Sequence, residues 1–148
     1  MDPPRALSIL ESTDVVTLTP ASEISKALRV IRLQGFAQIP IYEDHKFIQL
    51  LTTNTISRWV AKDLADNNVL DARTIGDVLE MVKKIDDAVF LSRDITAQEA
   101  VDALINPDKN GRLPYAAIVT ETGKRNERPL RIITSSDLAV LIEALNGR

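Results

Sequence analysis

An α/β (α+β) fold made from two copies of one β-α-β-β-α unit is what this sequence predicts, on three observations. The order strand, helix, strand, strand, helix can be read twice from hydrophobic periodicity and turn signals. The stretch "LTPASEISKAL" (18–28) lies over "LSRDITAQEAV" (91–101) without a gap, with Leu18 over Leu91, Ala27 over Ala100 and Leu28 over Val101. Each half also ends a hydrophobic run in a hydroxyl-rich turn that opens a helix, "LLTTNTI" and "IITSSDL". There Thr52 and Asn54 stand where Thr134 and Ser136 stand, and Thr55 stands where Asp137 stands. An internal repeat of this size sets the architecture before any single element does.

The first copy begins with Val15-Val16-Thr17-Leu18, a short β-prone run closed by Thr19-Pro20. From Ser22 the period becomes helical, with Ile24, Ala27, Leu28 and Ile31 on one side and Lys26, Arg29 and Arg32 on the other. Gly35 is placed to end that helix as a C-terminal glycine. Phe36 to Tyr42 reads as a strand containing Pro40, which argues for an edge or a distorted end. Glu43-Asp44-His45-Lys46 is a polar hairpin turn, Phe47 to Leu51 the returning strand, and Thr52 the start of a helix carrying Ile56, Trp59, Val60 and Leu64 on one stripe.

The second copy follows the same order. Val89-Phe90-Leu91 is a strand, and Thr96-Ala97-Gln98-Glu99 has capping-box spacing ahead of the stripe Ala97, Ala100, Val101, Leu104. Asn106 to Gly111 is a loop longer than the one at Gly35, Tyr115 to Thr120 a strand, Glu121 to Pro129 a polar connection, and Leu130 to Ile133 a strand. Thr134 opens the last helix, with Leu138, Leu141, Ile142 and Leu145 on its stripe. Between the copies, Ile75, Val78, Leu79 and Val82 outline a linker helix. The division is therefore 1–66 for the first unit with an N-terminal extension, 67–86 for the linker helix region and 87–148 for the second unit.

Composition narrows the function classes. With 148 residues, 18 basic and 21 acidic side chains, the net charge is −3, and no overall positive field draws the chain to nucleic acid or a membrane. No stretch reads as a membrane span or a signal peptide, so a cytoplasmic protein is expected. Cysteine is absent and His45 is the only histidine, in a turn, so thiol chemistry and a His/Cys metal site are excluded. With five glycines there is no P-loop or dinucleotide fingerprint. An enzyme is not expected, nor a catalytic cofactor or a metal.

The stretches "FAQIPIYEDHKFIQLLTTNTI" and "PLRIITSSDL", with the repeat, resemble a tandem pair of CBS domains (named for cystathionine β-synthase), a Bateman module. The likeness runs from about Val15 to about Leu145. It implies two pseudo-symmetric units packed through their sheets, with clefts that bind an adenosine-containing ligand of the AMP, ATP, S-adenosylmethionine or cyclic di-AMP class. By that resemblance Asp137 accepts ribose hydroxyls, Thr134 and Ser136 contact phosphate, and Val16, Phe36, Ala37 and Ile39 line the adenine pocket. A second cleft uses Thr52, Asn54 and Thr55 with Val89, Phe90, Tyr115 and Ala117. The family often has glycine just before the turn, where this chain has Gln49 and Arg131, and Thr55 replaces the acid; the Asp137 cleft is therefore expected to be the stronger.

Plainer readings stand beside these. Thr52 and Thr134 are suited to capping a helix, a contribution of about 1 kcal/mol each. Asp137 in a first helical turn is favourable against the helix dipole without any ligand, by roughly 0.3–1 kcal/mol. Arg131, Arg128 and Arg112 are candidate phosphate donors or solvated surface charges. The Trp59 stripe and the Leu138 to Leu145 stripe are, by resemblance, faces of a homodimer, or else buried in the monomer. The leading expectation is a regulatory, ligand-sensing module acting on a separate target protein or a parent chain. Its rival is a protein-interaction or dimerisation module that has lost nucleotide binding.

Overall fold

Two sheets, one in each repeat, organise the chain in a computed structural model that describes residues 2–68, 73–83 and 86–147. Mixed helices and strands confirm the α/β class. Contacts divide the chain into a first unit, Val16–Asp86, and a second unit, Asp87–Arg148 together with Met1–Val15. This differs from the sequence division at both ends of the first copy. Residues up to and including Val15 go with the second repeat, because Ala6 N–H donates to Ile95 O (3.0 Å) and Ala97 N–H to Pro4 O (2.8 Å), while Ala6 and Leu10 are buried in that unit's core. The linker helix goes with the first repeat. Of the linker region 67–86, residues 69–72 and 84–85 lie outside the described residues.

In the first unit, α2 (Ile24–Gln34) precedes the hairpin β1 (Gln38–Glu43) and β2 (Lys46–Thr52), and α3 (Thr53–Asn67) and α4 (Ile75–Val82) follow. Gly35 caps α2 at φ 71°, a left-handed conformation that costs glycine nothing. Asp44 (φ 50°) and His45 (φ 65°) form the two-residue turn between Glu43 and Lys46, with the positive φ at both positions that matches strand twist in a hairpin. The expected first strand is reduced to one parallel bridge, Leu18 to Ile41. That bridge places Pro40 between neighbours rather than at an edge: its carbonyl accepts from Leu18 N–H (3.3 Å), which asks nothing of the missing amide hydrogen. The strand is instead distorted one step later, at a register shift between Ile41 and Tyr42.

The second unit has β3 (Ala88–Ser92), α5 (Ala97–Ile105), β4 (Ala116–Thr120), β5 (Arg131–Ile133) and α6 (Ser135–Asn146), with α1 (Ala6–Ile9) contributed by the N-terminal segment. β3 runs parallel to β4 and β5 antiparallel to it, with Val89, Ala117 and Ile133 in register. A right-handed crossover through a helix is the usual way to join such a parallel pair, and α5 lies between them in sequence. The Thr96–Glu99 capping box forms as its spacing predicts, with Glu99 N–H on Thr96 Oγ1 (3.1 Å) and Thr96 N–H on Glu99 Oε1 (3.2 Å).

Each unit has its own apolar core. Leu18, Ile24, Ala27, Ile39, Ile41, Leu51, Ile56, Trp59, Ile75 and Val78 fill the first. Leu91, Ala97, Ala100, Val101, Leu104, Ala117, Val119, Ile133 and Leu141 fill the second, with Ala6 and Leu10. Full burial of one such aliphatic side chain is worth about 1.5–3 kcal/mol, so these clusters, rather than the turns, hold the units folded. The stripes read as dimer faces are mixed in exposure: Trp59 (2% exposed) and Leu141 (0%) are buried within the single chain, and Leu64 (43%) and Ile142 (40%) are exposed.

Candidate functional site

The two hydroxyl-rich turns hold the residues that the sequence marks for ligand binding, and the structure gives them different surroundings. In the first unit Thr52 caps α3, its Oγ1 accepting the Thr55 amide at 3.1 Å. The same oxygen lies 3.2 Å from Thr55 Oγ1 and donates to the Asp86 carboxylate at 2.5 Å. A hydroxyl has one proton and two lone pairs. With the proton on Asp86, the Thr55 hydroxyl must be the donor in the threonine pair, and the Thr52 oxygen is fully used. Thr52 and Thr55 are both 0% exposed. Asn54 is exposed beside them.

In the second unit the turn is partly open. Asp137 Oδ2 accepts Thr134 N–H at 2.9 Å, the acid's half of a capping box, and Arg131 reaches both carboxylate oxygens at 3.4 and 3.5 Å. Thr134 Oγ1 and Ser136 Oγ pair at 2.9 Å, with Ser136 exposed and Thr134 half-buried. Both hydroxyls keep hydrogen-bonding capacity beyond that one contact. Arg131 also donates through Nε to Glu11 O (3.0 Å) and through Nη1 to Ile132 O, so most of its five N–H groups are engaged inside the unit. Its side chain positions Asp137 and the N-terminal segment.

The remaining marked residues scatter in role. Ile39 and Ala117 are 0% exposed and belong to the cores of their own units, which leaves their side chains packing rather than lining a surface. Val16 and Phe36 are half-buried and Ala37 exposed in the first unit, where the Ala37 carbonyl accepts Thr53 N–H (3.1 Å) at the start of α3. Tyr115 is half-buried, and its N–H donates to Asp87 O (2.7 Å). Phe90 is half-buried under Arg125, whose guanidinium carbon sits 5.2 Å from the ring centre, a cation–π distance.

A cavity of about 350 Å³ opens in the second unit between the start of β3, the end of α5 and the loop that follows. Val89, Leu113 and Pro114 give it an apolar wall; Arg112 and Arg125 bring positive charge, with Asn106 and Asp108 beside them. The loop is fixed from within. Asp108 accepts the amides of Asn110 (2.8 Å) and Arg112 (3.0 Å), and its own N–H donates to Arg112 O (2.8 Å). Those bonds, the Arg112 amide first, hold the Asp108 carboxyl below the usual carboxylate range, so the loop keeps a fixed negative charge next to Arg112. Of this lining the sequence marks only Val89 and Arg112. Arg128 is exposed in the β4–β5 connection and outside the lining. Arg125 and Asp86 carry no spacing signal, because each reaches its partner through a turn rather than along one face. Among the described residues no group of histidine, aspartate and glutamate could hold a metal ion, and no helix is long and apolar enough to cross a membrane.

Comparison with known proteins bears on the fold. Residues 8–62 match the CBS domain family. The structure of CBSX2 in complex with AMP superposes with a TM-score of 0.65 at 9% identity, covering 97% of this chain and 98% of that one. The CBS domain pair of MJ0100, in complex with 5′-methylthioadenosine and S-adenosyl-L-methionine, gives 0.64 at 19% identity over 97% and 99%. The first half of the chain thus matches the CBS domain, and the chain as a whole has the fold of CBS-domain pairs. A putative signal-transduction protein with CBS domains from Burkholderia ambifaria MC40-6 is similar too, with a TM-score of 0.63 at 12% identity over 96% and 91%. At such identities the likeness speaks for the CBS fold. No curated protein sequence matches the chain.

Proposed function

We propose that this CBS pair is a regulatory module that binds an adenosine-containing nucleotide, of the AMP, ATP, S-adenosylmethionine or cyclic di-AMP class, and passes the change to a partner protein or parent chain. The observation that carries the reading is the cavity of about 350 Å³ in the second unit, apolar on one side, with Arg112 and Arg125 set beside the carboxylates of Asp87 and Asp108. Its size falls in the range of small-molecule sites, roughly 300–1,000 Å³. An apolar wall suits a purine face, and guanidinium groups suit phosphate oxygens. The AMP and S-adenosylmethionine bound by CBSX2 and MJ0100 support the same ligand class.

Thr134, Ser136 and Asp137 lie outside that cavity's lining; by the family resemblance Asp137 offers a carboxylate oxygen to ribose, and Thr134 and Ser136 offer hydroxyls to phosphate. Arg131 holds Asp137 for that contact. Of the adenine-side set that the family resemblance proposes, Val16, Phe36 and Ala37 are the accessible members, and Ile39 packs in the core behind them. Val89, Phe90 and Tyr115 take the corresponding part beside Arg125. A ligand regulates a partner only through different affinity for two arrangements of the module, so binding and partner contact must be linked reciprocally.

The test is a thermal-shift and calorimetric panel of AMP, ATP, S-adenosylmethionine and cyclic di-AMP on the whole chain. Binding stabilises the folded state in proportion to the logarithm of ligand excess, so a micromolar ligand at about 100-fold excess adds about 2.7 kcal/mol. No shift with any of the four would remove the nucleotide reading. The alternative is a protein-interaction or homodimerisation module without nucleotide, favoured by the saturated Thr52 turn and by Val140 (47% exposed) and Ile142 (40% exposed) on α6. That reading requires self-association that is indifferent to all four ligands.

A further inference from the structure

We infer that Asp86 closes the Thr52 turn to ligand, so that of the two hydroxyl-rich turns only the one at Thr134 is open to nucleotide. The inference rests on the nucleotide reading above for what would otherwise enter the turn. Thr52 and Thr55 stand at the start of α3, a helix of 15 residues, where free N–H groups and the positive end of the dipole attract an anion. The anion is already in place. Asp86, 34 positions beyond Thr52, puts a carboxylate oxygen 2.5 Å from the Thr52 hydroxyl.

Two consequences follow from that contact. The Thr52 hydroxyl has its proton on Asp86 and its lone pairs on the Thr55 amide and hydroxyl, so a ribose or phosphate finds no donor or acceptor there. An arriving phosphate would also meet a half-buried carboxylate, and like charges at contact distance in a partly dry site oppose each other strongly. The acid absent at Thr55 is therefore not absent from the turn. The chain supplies it from beyond α4, aimed at the hydroxyl, whereas Asp137 keeps its acid on the helix and partly open to solvent (18% exposed).

Substitutions at Asp86 separate the hydrogen bond from the charge. Asp86→Asn keeps an acceptor for Thr52 and drops the charge. Asp86→Ala removes both, and Asp86→Ser, too short to reach Thr52, serves as a second opening variant if the alanine form folds poorly. Calorimetric titration of the whole chain with ATP and with AMP reads the number of sites. The expected result is one more nucleotide per chain in Asp86→Ala or Asp86→Ser than in wild type, and the wild-type number in Asp86→Asn. Opening variants that keep the wild-type number of sites overturn the inference. A wild type that loses a binding event on Thr55→Val overturns it too, since the turn would then already hold ligand. Failure of the functional reading gives a different signature, a wild type that binds neither ATP nor AMP; in that case an opening variant that acquires a site supports the closure by Asp86, and one that acquires none overturns it.

Discussion

The turns at Thr52 and Thr134 occupy the same place in two copies of one unit, and they differ in where their acid comes from. At Thr134 the acid is Asp137, three residues into the turn, tied to a backbone amide and to Arg131 but left partly exposed. At Thr52 it is Asp86, brought from the far side of α4 and bonded to the capping hydroxyl itself. One turn is a surface with unused hydrogen-bonding capacity, and the other is a closed buried knot. The difference teaches that a hydroxyl-rich helix start can either spend its hydroxyls within the fold or keep them open, and that the position of one carboxylate decides which.

The largest expected effect breaks the knot. Thr52→Val leaves the Thr55 amide and the Asp86 carboxylate without their shared partner in a buried setting, which should cost about 2–3 kcal/mol in denaturant unfolding. Nucleotide affinity should change less than about twofold, because the residue does not face ligand. The matching change Thr134→Val should reverse the pattern, with about 0.5–1 kcal/mol of stability lost, as for a cap, and a clear loss of affinity. Equal stability losses in the two variants would show that the turns are not different in kind.

Next in size is Asp137→Ala. Loss of a carboxylate contact to ribose hydroxyls should weaken AMP or ATP about tenfold or more, corresponding to about 1.4 kcal/mol. Thr55→Ala should alter affinity less than about twofold. Titration calorimetry on both variants decides the point, and a larger effect from Thr55→Ala would invert the assignment. Arg112→Ala and Arg125→Ala should each cost several-fold in affinity for ATP, more at low than at high ionic strength, because guanidinium–phosphate attraction is screened by salt. Arg128→Ala, outside the cavity lining, is the control.

Much of the architecture was legible because local chemistry and repetition agreed. Gly35 announced the end of α2, Asp44-His45 the hairpin, Thr96 with Glu99 the start of α5, and the Ile75 to Val82 stripe the helix α4. The first strand was overread: Val15 to Leu18 has β-branched residues in abundance, yet only Leu18 pairs. β-propensity marks a fit to a pleated surface and cannot say how much partner strand is available. At the turns the sequence identified the threonines and Asp137 but not their partners. Asp86 reaches Thr52, Glu11 reaches Arg131 and Arg125 reaches Phe90 across long chain separations, and no period links such residues. The cavity was missed for the same reason, since its walls come from a strand start, a helix end and a loop.

The smallest expected effect concerns the two hairpin connections. The first unit turns on Asp44 and His45 alone, through backbone geometry. The second unit's longer connection is organised by Glu127, whose carboxylate accepts the amides of Thr122 (3.0 Å) and Lys124 (3.0 Å) and the hydroxyls of Thr122 and Thr120 (2.9 Å each). These bonds, the Thr122 amide first, lower the Glu127 carboxyl from 4.5 to about 2. A carboxyl lowered on folding contributes stability that is fully present above its unfolded value and lost as pH falls through the folded one. Order in the β4–β5 connection should therefore hold above about pH 4.5 and fade toward pH 2. Amide shifts of Thr122 and Lys124 followed by NMR across that range should move with one apparent titration near pH 2. Glu127→Gln, which keeps one acceptor oxygen and removes the charge, should abolish the titration while leaving the Asp44–His45 amides unaffected. A midpoint near 4.5 at Thr122 would mean that the carboxylate is hydrated rather than held by the loop, and the contrast between the two hairpins would reduce to loop length.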